Sequence, residues 1–100
     1  MNMIDTLKSY IESTIKMIVD KPDEVKIEVT TSTKTILVQI KTAKSDFGKV
    51  IGRKGKTIES LKTISCAIKN TKFHDDVRSV VLEILEDEIS SFKSLKKNEN

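Results

Sequence analysis

One hundred residues, 37% apolar and 33% charged, suffice for one domain with its own core and leave no room for a second. No unbroken apolar run exceeds three residues, as in Met17-Ile18-Val19, which excludes a membrane-spanning helix, and no basic-then-apolar leader opens the chain. A net charge of +3 does not by itself select a polyanionic partner.

Ile4, Leu7, Ile11, Ile15 and Ile18 recur every three or four residues, which predicts an amphipathic helix over residues 3–19. Pro22 disfavours helix at Lys21 and stops it near Asp20. Val25, Ile27, Val29 and Thr31 then alternate with polar residues as a half-buried strand does. A turn at Thr31-Ser32-Thr33-Lys34 leads into Ile36, Val38 and Ile40, with Leu37 on the other face, so the two runs predict an antiparallel hairpin. After Ala43 the period changes. Ser45 or Asp46 can cap a short helix whose apolar face is Phe47, Val50 and Ile51. Gly48 inside that helix suggests close packing against a neighbour. Gly52-Arg53-Lys54-Gly55 interrupts it, and a longer helix follows from about Lys56 to Asn70. Ile58, Leu61, Ser65 and Ile68 line one side of it, with Ile64 and Ala67 close by. A polar loop over 71–76 precedes a third strand on Val80, Leu82 and Ile84, to which Val77, Val81 and Leu85 add apolar weight. Ile89, Phe92 and Leu95 allow a short C-terminal helix, acidic first and basic last as the helix dipole prefers. The expected class is α+β, in the order α-β-β-α-(GxxG)-α-β, with helices packed on one face of a three-stranded sheet. The domain spans residues 1–85 and the remainder, 86–100, is an extension.

The segment Val50 to Ile58 carries the chemistry. Two glycines three apart join two helices and enclose two basic residues. Glycine lets the backbone turn tightly and approach a ligand closely. The helix starting at Lys56 presents free N–H groups and the positive end of its dipole, an anion site. Arg53 and Lys54 project from the loop tip toward phosphates, and Ile51 and Ile58 flank it. A G-x-x-G alone also fits a plain helix–helix turn. Here both central positions are basic, and the loop lies in the most basic part of the chain. From Lys41 to Lys72, nine basic residues face only Asp46 and Glu59, a net +7, while the rest of the chain, nine basic against thirteen acidic, carries −4. That sorting of charge is the footprint of a nucleic-acid partner.

The stretch Lys44-Ser45-Asp46-Phe47-Gly48-Lys49-Val50-Ile51-Gly52-Arg53-Lys54-Gly55-Lys56-Thr57-Ile58 resembles the KH signature. With the leading helix and Lys21-Pro22-Asp23-Glu24-Val25, the chain from about residue 3 to 85 is similar to the bacterial KhpA family of small single-KH-domain proteins. The resemblance implies the type II KH arrangement and sequence-tolerant binding of single-stranded RNA. It also implies pairing with KhpB, a larger KH-containing partner, or with a second copy. Residue by residue, it implies that Gly52 and Gly55 admit the sugar-phosphate backbone and that Arg53 and Lys54 contact phosphates. Gly48, Ile51 and Ile58 would shape the groove, and Lys49, Lys56 and Lys62 would form its basic rim. A KH groove holds about four nucleotides. The tail after Leu85 is longer than the resemblance leads one to expect.

Other chemistries fit poorly. Gly55-Lys56-Thr57 echoes the end of a nucleotide-binding P-loop, but the glycine required five residues earlier is Val50. His74 with Asp75 and Asp76 makes no ligand set of three or four, and His74 in a polar turn reads as solvated. Cys66 reads as a small packing residue, and one cysteine agrees with a reducing compartment, the cytoplasm. Glu86-Asp87-Glu88 reads as a solvated run. Only Tyr10, Phe47, Phe73 and Phe92 are aromatic, too few for a base-stacking platform of the RRM or OB kind. No catalytic constellation, cofactor motif, metal site or small-molecule site is expected. The sequence therefore leads to a non-catalytic RNA-binding module, a chaperone or post-transcriptional regulator, with a protein–protein adaptor built on dimerisation as the competing function.

Overall fold

The computed structural model describes residues 2–86. Its first element, α1 (Met3–Ile18), starts where Asn2 Oδ1 accepts the Asp5 N–H at 2.8 Å and ends as Val19 turns to extended backbone. The buried stripe runs Met3, Leu7, Ile11, Ile15 and on to Val19, while Ile4 and Ile18 lie at its edges, half-buried. Pro22 opens a single 3₁₀ turn, Pro22–Glu24, after which β1 (Lys26–Thr31) and β2 (Thr35–Lys41) pair antiparallel. Ser32 closes the hairpin: its N–H donates to the Thr35 carbonyl at 2.8 Å, and its Oγ accepts the Thr35 N–H at 3.1 Å. A 3₁₀ turn over Lys44–Asp46 leads into α2 (Phe47–Ile51), the Arg53–Gly55 turn and α3 (Lys56–Lys72). β3 (Ser79–Leu85) then lies parallel to β2, so the sheet order is β1-β2-β3 with β2 central. A parallel neighbour needs a crossover, and the α2–α3 unit is that crossover.

The register explains the core. Ile27 faces Ile40 and Val29 faces Val38 across β1–β2, and the same face continues to Val80, Leu82 and Ile84 on β3. Ile36, Val38 and Ile40 are fully buried against Leu7, Ile11 and Ile15 of α1. Val50 of α2 and Leu61 of α3 complete the layer. The opposite face of the sheet is polar at its centre, where Gln39 Nε2 donates to Glu83 Oε1 at 3.0 Å. The element order is the expected one.

Several local expectations change. α3 continues to Lys72, two residues past the expected end, and Phe73 packs against the core where a polar loop was expected. On α3, Ser65 is buried and satisfied by donating to the Leu61 carbonyl at 2.7 Å, whereas Ile64 and Ala67 are exposed. Val77 and Val81 add nothing to the core. Val77 precedes the strand and Val81 has the wrong phase for the buried face, so both are exposed. Asp46 stands at the N-cap position of α2 but its side chain does not cap; both its oxygens reach back to the α1–β1 junction instead. Gly48 has open space where a Cβ would be, because α2 packs through Val50 and turns Gly48 outward. Close packing is therefore not the reason for glycine there. The expected C-terminal helix on Ile89, Phe92 and Leu95 lies outside the described residues.

Two carboxylates are tuned by this packing. The Arg78 guanidinium hydrogen-bonds Asp76, with Nη2 2.6 Å from Oδ2, and holds its carboxyl down to about 2. Asp46 is likewise lowered, chiefly by the Asp20 N–H it accepts. A carboxylate lowered on folding contributes stability above its unfolded value of about 3.9, and that contribution disappears as pH falls through the folded value. Urea midpoints should therefore fall steadily between about pH 4 and pH 2. Asp76→Asn should lower the midpoint at pH 5 and make this acid limb shallower; a limb of unchanged steepness would count against the pairing.

Candidate nucleic-acid interface

The site grows from the hinge between α2 and α3. Gly52 has φ +79° and ψ 172°, a conformation essentially confined to glycine. A Cβ at Gly52 would overlap the Thr57 hydroxyl and stand 2.8 Å from the Thr57 backbone nitrogen. Lys54 (φ 56°) and Gly55 (φ 74°) follow in the left-handed region. The turn closes by two hydrogen bonds, Gly52 N–H to Gly48 O at 2.9 Å and Gly55 N–H to Gly52 O at 3.1 Å. With its backbone so folded, the loop turns Arg53 and Lys54 outward, both exposed and neither ion-paired among the described residues.

On the same helix that leaves the hinge, a cleft of about 450 Å³ opens between α3, from Lys62 onward, and the start of β3. Lys62, Cys66 and Lys69, spaced by four and three, form one face of α3 along its wall, and Ile58 lies one turn earlier on the same face. The other wall is the segment Val77 to Val81, where Val77 is 89% exposed. Arg78 lies in this wall, but Asp76 balances its charge. The free cations at the cleft are thus lysines on one wall, and the opposite wall is aliphatic.

The sequence-predicted residues divide accordingly. Gly52, Arg53, Lys54 and Gly55 form the hinge, Ile51 leads into it half-buried, and Lys62 lines the cleft. Lys49 does not stand free as a rim cation: its Nζ lies 3.1 Å from Asp20 and 3.6 Å from the buried Asp46 carboxylate. Both acids raise its pKa, Asp20 most. Lys56 points into a different groove, between α1 and α3, with Tyr10, Ile18 and Ile64. Sequence reasoning missed Cys66, Asn70, Arg78 and the Val77–Val81 wall as cleft residues. The basic stripe at Lys62 and Lys69 was a usable signal, as were Val77 and Val81, apolar residues out of phase with their strand. His74 is exposed near Asp75, as a solvated turn residue should be. Among the described residues no three His, Cys, Asp or Glu side chains cluster as a metal site, and no helix is long and apolar enough to cross a membrane.

Comparison with known proteins gives the family. The family model "KhpA/KhpB, KH domain" matches residues 8–84. The chain belongs to the KhpA/KhpB KH-domain family. Its type II order, helix and strand before a β-α-α-β core with parallel β2 and β3, is therefore that of a KH domain, and this membership places the chain outside the enzymes. The RNA-binding protein KhpA of Chlamydia trachomatis is 36% identical over 81 residues, covering 81% of this chain and 99% of that protein. KhpA of Borreliella burgdorferi is 38% identical over 78 residues, 76% of this chain and 88% of that one. KhpA of Aquifex aeolicus is 36% identical over 83 residues, 83% of this chain and all of its own. No solved structure matches the chain.

The hinge glycines should respond differently to alanine. Gly55→Ala meets open space and costs only its left-handed backbone, about 1–2 kcal/mol. Gly52→Ala adds steric overlap with Thr57 to a backbone strain of about 1–3 kcal/mol and should cost more. Urea unfolding of both variants checks the order; equal losses would mean that the loop relaxes freely.

Proposed function

We propose that this protein is a non-catalytic RNA-binding module that holds single-stranded RNA over the Gly52–Gly55 hinge and along the α3–β3 cleft. The observation that carries the reading is the pair of exposed cations Arg53 and Lys54, not ion-paired among the described residues, on a glycine-framed turn at the head of the helix that walls the cleft. A strand laid there meets Arg53 and Lys54 with its phosphates. The bare outer face of Gly48 leaves room for the sugar-phosphate chain. Bases then fall against Val77 and Val81, with Lys62 and Lys69 along the other wall and Ile58 one turn before Lys62 on that same wall. Aliphatic walls tolerate any base face, so recognition is sequence-tolerant, which suits an RNA chaperone or post-transcriptional regulator. The binding unit is residues 1–85. A single cysteine suits the reducing cytoplasm as the place of action.

A second reading is favoured by one observation. Ile64 is exposed beside Tyr10 and Ile18 in the α1–α3 groove, and Met17 is exposed nearby on α1. This face is a place for a second copy or a KhpB-like partner, and the adaptor role would use it without displacing RNA.

Two measurements separate these roles. Arg53→Asp with Lys54→Asp should abolish binding of single-stranded RNA while leaving the circular dichroism spectrum and the urea midpoint unchanged. In the milder single variants Arg53→Gln and Lys54→Gln, each phosphate left without its cation should make the plot of log K against log salt shallower by roughly 0.7. Unchanged affinity in the double variant would remove the hinge from the site. For the adaptor role, light scattering after size exclusion should give twice the monomer mass, and Ile64→Asp should halve it; a monomer at every concentration, alone and with KhpB, would end that reading.

A further inference from the structure

The hinge needs a fixed platform, and α2 alone cannot supply one. It has five residues, far below the roughly twelve at which an isolated helix holds together. Its one fully buried side chain is Val50, with Phe47 and Ile51 only half-buried, which holds the helix down without by itself fixing its tilt. A tilt of about 10° over a helix of that length moves Gly52 by about 1.3 Å. That is enough to carry a backbone N–H out of hydrogen-bond range of a phosphate.

A second attachment lies at the other end of α2. Asp46 precedes the helix and is completely buried. Its Oδ1 accepts the Asp20 N–H and its Oδ2 the Lys21 N–H, each at 3.0 Å, from residues 26 and 25 positions earlier in the chain. One turn along α2, Lys49 reaches the same place, 3.1 Å from the Asp20 carboxylate and 3.6 Å from Asp46. Both ends of the first turn of α2 are thus tied to the α1–β1 junction. That junction is itself immobilised by the last turn of α1, where Ile15 and Val19 are buried.

We propose that Asp46, with Lys49 as its counter-ion, is the positioning residue of the RNA hinge, a latch that sets the tilt of α2 and so the place of Gly52–Gly55 relative to the α3–β3 cleft. The proposal rests on the RNA-binding reading for its consequence but not for its geometry. Asp46 touches no part of the cleft and offers RNA nothing directly. A carboxylate is required because both partners are donors. The isosteric amide satisfies one N–H and aims its own N–H₂ at the other, leaving a buried backbone donor unpaired.

The test uses the full chain and a fluorescein-labelled pool of random-sequence single-stranded RNA. Asp46→Asn should weaken binding about tenfold, within the usual range of coupling between linked sites. The slope of log K against log salt should stay at the parent's value, because every phosphate keeps its cation. Ile11→Val is the control for stability. It also destabilises the fold but lies far from the latch, and it should leave RNA affinity unchanged under conditions where every variant is folded. Lys49→Met, an exposed change that tolerates loss of the pair, should weaken binding in the same sense with the same salt slope. A shallower slope in Lys49→Met would make Lys49 a phosphate ligand and overturn the latch. So would parent-like binding by Asp46→Asn, or an equal loss in Ile11→Val. If the parent chain binds no RNA, the functional reading fails by itself. The latch is then read from the amide signals of Gly52 and Gly55 in a ¹H–¹⁵N spectrum. They should move in Asp46→Asn and Lys49→Met and stay in Ile11→Val; unmoved signals in the first two would sink it. Should Asp46→Asn fail to fold, Lys49→Met alone decides on both readouts.

Discussion

The proposed RNA site depends on reversing direction between two helices within four residues. An ordinary L-residue chain cannot do so here, because the turn requires positive φ at Gly52, Lys54 and Gly55 and a nearly extended ψ at Gly52. The missing Cβ at Gly52 is also what lets Thr57 close over it. Lys54 is the one non-glycine residue in this conformation among the described residues, so the loop stores strain at its tip. The return is geometric. The turn is short enough that its two cations stand directly before the α3 N-terminus, whose free N–H groups add to their positive charge.

The sheet makes that turn possible by fixing both of its roots. α2 leaves β2, and α3 delivers the chain to β3 beside β2, so hinge and cleft are products of a single crossover. Ile36, Val38 and Ile40, fully buried at the centre, hold β2 between its neighbours. α1 covers the same face and carries the α1–β1 junction to which Asp46 and Lys49 attach. The N-terminal helix therefore supports the site without lining the α3–β3 cleft.

Much of this was legible in the sequence because the signals were periodic. The 3.6-residue stripe of Leu7, Ile11 and Ile15 and the two-residue alternation of Ile36, Val38 and Ile40 report burial directly, and burial is what the fold maximises. The two glycines around Arg53-Lys54 placed the hinge for the same reason, since few other residues take those angles. What escaped was pairwise and distant. Nothing local says that Asp46 will abandon its cap to accept from Asp20 and Lys21, or that Lys49 will follow it. Gly48 was misjudged because a glycine signals either crowding or deliberate emptiness, and only the direction of α2 decides which. Charge counted along the chain likewise treats Lys49 and Arg78 as equal to Arg53 and Lys54, although acids in space have already claimed the first two.

Those claimed cations change the electrostatics of binding. The excess of +7 over residues 41–72 is an upper bound on what a polyanion meets, because a cation held by a carboxylate releases no counterion when a phosphate arrives. Along the proposed path the cations with no ion pair among the described residues are Arg53 and Lys54 at the turn and Lys62 and Lys69 along α3. They lie on one side of an aliphatic wall that carries no net charge, since Asp76 cancels Arg78. Such a cleft is polarised. On the proposed function it suits a chain with charge along one edge and flat apolar groups along the other better than a duplex, which buries its flat groups and shows charge on both flanks. On the proposed function, a preference for single strands would arise from which charges the fold has neutralised as much as from those it has left exposed.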